Sequence, residues 1–86
     1  MRILLVEDDP VLQAVVQRSL SDSGHRVEAA GDLATAAHWW RVQPFDAVLL
    51  DIELPEINGL ELIRRIRTGT IPGCDPGVAV IAEERR

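Results

Sequence analysis

The chain has 86 residues and a net charge of −5, with 47% hydrophobic and 27% charged residues, a balance that excludes a disordered chain and allows one small globular domain. The negative charge argues against direct nucleic-acid contact by this segment, because phosphate binding wants basic patches. The single Cys74 forbids an internal disulfide and fits a reducing, cytoplasmic compartment, and neither a signal peptide nor a membrane span is legible.

The first apolar run, residues 3–6, reads as a short buried strand, and Glu7, Asp8 and Asp9 follow it at once. Pro10 suits the first turn of a helix, where a missing N–H does no harm, and Asp9 is the expected cap. Val11, Leu12, Val15, Val16 and Leu20 recur at helical spacing and predict one apolar face. Gly24 fits the position just past the helix end. Arg26–Ala30 is a strand candidate. Asp32 is the expected cap of a second helix over Leu33–Val42, which Pro44 stops. Trp39 and Trp40 are adjacent and point about 100° apart, so one is expected in the core and the other at its rim.

Residues 46–55 are the centre of the chain. Val48, Leu49 and Leu50 form the continuous apolar run of a strand buried on both faces, and Asp51 ends it. Pro55 cannot join a ladder, so the strand has stopped by then. Asn58 and Gly59 mark a turn before a helix over Gly59–Arg67. Arg64, Arg65 and Arg67 read as a solvated face near that helix's C-terminus. Residues 68–77 are rich in breakers and read as a loop. Residues 78–82 are a last strand candidate, and Glu83, Glu84, Arg85 and Arg86 form a charged end. Strands alternating with helices imply parallel strands joined by right-handed crossovers, in the order β-α-β-α-β-α-β.

Two separate strands thus end in acid. In a flavodoxin-like strand order the first and third strands flank the crevice at the switch point, which brings Glu7, Asp8 and Asp51 to one edge. Three converging carboxylates repel one another. A hard divalent cation offsets that repulsion, and Mg²⁺ takes one or two carboxylates while keeping several waters. Asp9 and Asp32 need no more than a capping role. Consecutive Glu7 and Asp8 exceed what a cap requires. Asp51 alone would pass for a turn residue, so the joint pattern carries the argument. His25 and His38 lack partners at metal-ligand spacing and read as surface residues.

Residues 3–9, 46–51, Leu54, Pro55 and residues 58–60 together resemble the response-regulator receiver domain of two-component signalling. The likeness covers residues 1 to about 82. The resemblance implies a flavodoxin-like, doubly wound parallel sheet, with residues 1–86 forming one receiver domain truncated after its fourth strand. It implies that Asp51 accepts a phosphoryl group from a sensor histidine kinase or phosphotransfer protein, so the chain accepts phosphate rather than acting as an enzyme. Asp8 then matches a direct Mg²⁺ ligand and Glu7 the acid beside it. Glu53 matches the position whose backbone carbonyl is a ligand, and Pro55 and Gly59 match positions that shape the loop. The family also uses a serine or threonine at the end of the fourth strand and a lysine at the end of the fifth. Here the fourth strand runs into Ala82, Glu83 and Glu84, and the chain has no lysine, which leaves Arg85 or Arg86 to approach the phosphoryl group. Self-catalysed transfer is therefore expected to be impaired.

Two further functions compete. One is a degenerate receiver that binds partners without phosphotransfer. The other is a haloacid-dehalogenase-type enzyme, which also uses an aspartate nucleophile and Mg²⁺. Glu53 loosely fits the second acid of that family, but Pro55 stands where its threonine belongs. A fourth strand with no neighbour predicts a homodimer through the exposed sheet edge.

Overall fold

A computed structural model describes residues 1–84. The elements are β1 (Arg2–Val6), α1 (Pro10–Asp22), β2 (Arg26–Ala30), α2 (Leu33–Val42), β3 (Ala47–Asp51), α3 (Gly59–Arg67) and β4 (Ala79–Glu83). All neighbouring strands are parallel, in the order β2-β1-β3-β4. That is the flavodoxin-like order through its first four strands, as expected, with no fifth strand among the described residues.

Side-chain alternation along the two central strands divides the core. Leu4, Val6, Val48 and Leu50 face Ala36, Trp40, Leu62 and Ile66 of α2 and α3. Ile3, Leu5, Ala47 and Leu49 face the other way, toward Val16 and Leu20 of α1. Both sides are apolar, so these strands read as unbroken hydrophobic runs. Every residue of β3 is buried. Trp40 is core and Trp39 half-buried, as their spacing predicts.

The caps form where short polar side chains precede each helix. Asp9 Oδ1 accepts from the Val11 and Leu12 amides at 2.9 and 3.3 Å. Asp32 Oδ1 accepts from the Thr35 amide at 2.7 Å, and this contact holds its carboxyl below the usual range. Asn58 Oδ1 caps α3 through the Leu60 amide at 2.8 Å. Gly24, just past α1, takes a left-handed φ of 91° that favours glycine.

Four expectations shift. The apolar face of α1 is narrower than its spacing predicts: Leu12, Val16 and Leu20 turn toward the sheet, while Val11 and Val15 are 72% and 61% exposed. One helix on a four-stranded sheet can bury only the stripe that meets it. The last strand runs one residue later than 78–82, because Val78 still belongs to the loop: its amide donates to Asp75 O at 3.0 Å. Arg67 is not merely a solvated charge. Its guanidinium donates to the carbonyls of Pro76 and Val78 and pins the loop that leads into β4. His25 is half-buried beside the Met1 amine at 3.4 Å, whereas His38 is exposed as expected. Arg85 and Arg86, offered above as substitutes for lysine, lie outside the described residues.

Candidate acidic site at the switch point

The strand order places β1 and β3 side by side, with Val6 registered on Leu50. The residues that follow those partners, Glu7 and Asp51, therefore emerge together at the C-terminal end of the sheet. Both are buried, at 4% and 5% exposure, whereas the other buried side chains among the described residues are apolar. Asp8 joins them from a more open position. One carboxylate oxygen from each of Glu7, Asp8 and Asp51 lies within 4.8 Å of the others. The three residues singled out from sequence thus converge, and adjacent Asp9 does not join them because its carboxylate is turned onto α1.

Hydrogen bonds hold Glu7 and Asp51 in place. The Glu7 amide donates to Ala30 O at 2.9 Å, and the Glu7 carbonyl accepts from Gln13 Nε2 at 2.9 Å, which ties the strand end to β2 and α1. Glu7 Oε2 accepts from the Asp9 amide at 3.2 Å. Asp51 Oδ1 accepts from the Glu53 amide at 2.9 Å, so its carboxylate is held by the loop it begins. Glu53 and Asn58 then form an isolated antiparallel bridge. The Gly59 amide closes the loop onto Ile52 O at 2.8 Å. A Cβ at Gly59 would stand 2.4 Å from Ile52 Cα and 3.1 Å from Asp51 O, so only glycine allows this approach.

Sequence reasoning stopped the fourth strand at Ala82 and missed Glu83, which lines the cleft beside the three acids. In the sheet Glu83 is the registered partner of Asp51, and its carbonyl accepts from the Ile52 amide at 2.9 Å. Leu12 and Val16 of α1, Leu5 and Leu49 of the sheet, and the acids Glu7, Asp51 and Glu83 line one narrow cleft. Only strand register could have disclosed this, because Asp51 and Glu83 are far apart in the chain.

A set of three carboxylates, two of them buried, suits a hard cation with oxygen ligands. A profile of the response regulator receiver domain matches residues 3–83. The chain belongs to the response regulator receiver family. Among curated relatives, this receiver is 39% identical over 71 residues to the virulence transcriptional regulatory protein PhoP of Salmonella typhimurium, covering 83% of this chain and 32% of PhoP. It is 41% identical over 66 residues to the transcriptional regulatory protein TcrA of Mycobacterium tuberculosis, covering 77% of this chain and 26% of TcrA. The receiver chain therefore spans about a third or less of these relatives. Among solved structures, the receiver domain of the sensor histidine kinase PA1611 from Pseudomonas aeruginosa superposes with a TM-score of 0.78 at 37% identity, over 94% of this chain and 64% of that one. That structure holds a magnesium ion in its active-site cleft. The HemR receiver domain of Leptospira biflexa superposes with a TM-score of 0.80 at 32% identity, over 96% of this chain and 63% of that one.

Proposed function

We propose that Asp51 accepts a phosphoryl group from a histidine kinase or phosphotransfer protein, with Mg²⁺ held by Glu7, Asp8, Asp51 and the backbone carbonyl of Glu53. The convergence of Glu7, Asp8 and Asp51 within 4.8 Å carries this reading. Bound there, Mg²⁺ would supply positive charge to the attacking carboxylate and the phosphoryl oxygens. The rest falls to the chain. The Glu53 amide fixes the rotation of the Asp51 carboxylate, which keeps its attacking oxygen oriented. That oxygen forms the new P–O bond while the bond from phosphorus to the donor imidazole nitrogen breaks, and the electron pair leaves with the donor. The apolar walls of the cleft limit the water that competes for the phosphoryl group.

The experiment is intact-mass measurement after incubation with acetyl phosphate and Mg²⁺. The parent chain gains one phosphoryl group, and Asp51→Asn gains none while remaining folded, because the amide is nearly isosteric but a poor nucleophile. In parallel, the Asp8 and Asp51 amide signals shift at millimolar Mg²⁺. A folded parent chain with neither response removes the site. One observation favours the second reading, a partner-binding module without phosphotransfer: Glu83 stands opposite Asp51, at the strand end where the resemblance calls for a hydroxyl. An unchanged mass in a chain that still binds Mg²⁺ selects it.

We also propose that the 86-residue chain pairs with a second copy through β4. That strand has a partner on one side only among the described residues, and Ile81 is 55% exposed.

A further inference from the structure

We propose that Glu83 sets the charge of the acceptor site: it strengthens the hold on a divalent cation and lowers the level of phosphoryl group that Asp51 carries. The inference rests on the reading of Asp51 as the acceptor and adds a residue to it.

Three observations place Glu83. It is the registered partner of Asp51 across β3 and β4. Its carbonyl accepts from the Ile52 amide at 2.9 Å, which fixes that register at the strand end. It lines the same cleft as Glu7 and Asp51. Registered partners on parallel strands project from the same face, and adjacent strands lie about 4.7–4.9 Å apart. Glu83 therefore adds a fourth negative charge beside a site that already holds three carboxylates.

That charge acts with opposite sign on the two things the site is proposed to hold. A divalent cation is attracted. An aspartyl phosphate carries more negative charge than the carboxylate it replaces, and so does the approaching anionic donor, so both are repelled. Leu5, Leu12 and Leu49 on the cleft walls reduce screening by water, while the exposure of Glu83 restores part of it. Because Glu83 is exposed, the aqueous limit applies, and a single charge about 5 Å away then corresponds to an effect of about threefold to tenfold.

The test compares the parent 86-residue chain with Glu83→Gln and Glu83→Asp. Mg²⁺ affinity is read from amide shifts at Asp8 and Asp51. The ratio of phosphorylated to unmodified chain is read by intact mass at steady state in acetyl phosphate and saturating Mg²⁺. Glu83→Gln is expected to weaken Mg²⁺ binding about threefold to tenfold and to raise the phosphorylated ratio by a similar factor. Glu83→Asp keeps the charge and stays within about twofold of the parent, on the same electrostatic ground. A variant that merely distorted the strand end would lower both quantities. No change in either, or movement of both in one direction, overturns the proposal. If Glu83→Gln fails to fold, Glu83→Ala removes the same charge without adding a hydroxyl and carries the same expectation. A parent chain that neither binds Mg²⁺ nor takes up phosphate overturns the acceptor reading and this one together. A parent that does both, with variants that match it, overturns this one alone.

Discussion

Gly59 is where a single atom matters most to the site. Its close approach to Ile52 shapes the loop that follows Asp51, and the Cβ of an alanine would meet backbone at 2.4 Å. Backbone cannot swing aside as a flexible side chain can. Gly59→Ala is expected to destabilise the chain by about 1–3 kcal/mol, the usual cost of forcing extra atoms into a packed place. The urea midpoint measures it, and the Glu53 amide signal should move as the loop shifts. On α3, Glu61 pairs with Arg64 at 2.5 Å and Arg65 at 3.5 Å. The hydrogen bond from Arg64 holds the Glu61 carboxyl down to about 2, from an ordinary value of 4.5. A carboxyl depressed in the folded state binds its proton less readily than in the unfolded chain. Its contribution is present above pH 4.5 and is lost as pH falls toward 2. Glu61→Gln should therefore flatten the dependence of the urea midpoint on pH within that window. The pair is exposed, so the difference should be small and should shrink in high salt.

At the scale of elements, adjacent acids at the end of β1 divide the work. Glu7 and Asp8 turn into the site, while Asp9 turns onto the free amides of α1. Asp9→Ala is expected to cost about 1 kcal/mol of stability through the lost cap. The Mg²⁺-dependent shifts at Asp8 and Asp51 should survive in that variant. Asp8→Ala should do the reverse, leaving the cap and removing the shifts. Urea unfolding and an Mg²⁺ titration on the two variants check the division. The loop before β4 is likewise organised by one side chain, since Arg67 of α3 donates to the Pro76 and Val78 carbonyls. Cys74 sits buried in that loop, and its burial, with the charge of Asp75, pushes the thiol up and keeps it protonated.

For the molecule as a whole, the two sides of the sheet are unequally covered. Among the described residues, helices α2 and α3 pack on one side and α1 alone on the other, and β4 has a neighbour on one side only, with most of its residues exposed. An open edge with apolar side chains is a template for another strand. Burying apolar surface favours association by roughly 25 cal/mol per Å², before the losses of binding. The 86-residue chain is expected to form a two-fold dimer. Sedimentation velocity across the micromolar range checks this: a growing dimer boundary is expected, and Ile81→Lys should reduce it. A single monomeric species at every concentration would count against the edge as an interface.

Much of this was legible in the chain. Unbroken apolar runs announced the central strands, because strands covered on both faces have no wet side. Short polar residues before helical patterns announced the caps, because each helix start leaves amides that a nearby side chain can satisfy. Acid directly after two such strands announced the site. These are local rules, and they hold wherever the chain ends up in space. What they could not show depends on which strands become neighbours, and in what register. Val11 and Val15 carry the same helical spacing as Val16, but only the placement of α1 on the sheet decides which of them is covered. Arg67 and the Pro76 carbonyl are nine residues apart with a loop between them, so their contact exists only once that loop folds back. Glu83 reads as part of a charged end, and pairing of β4 with β3 makes it the neighbour of Asp51. A strand presents alternate residues to each face, so a slip of one residue would have sent that carboxylate to the other side.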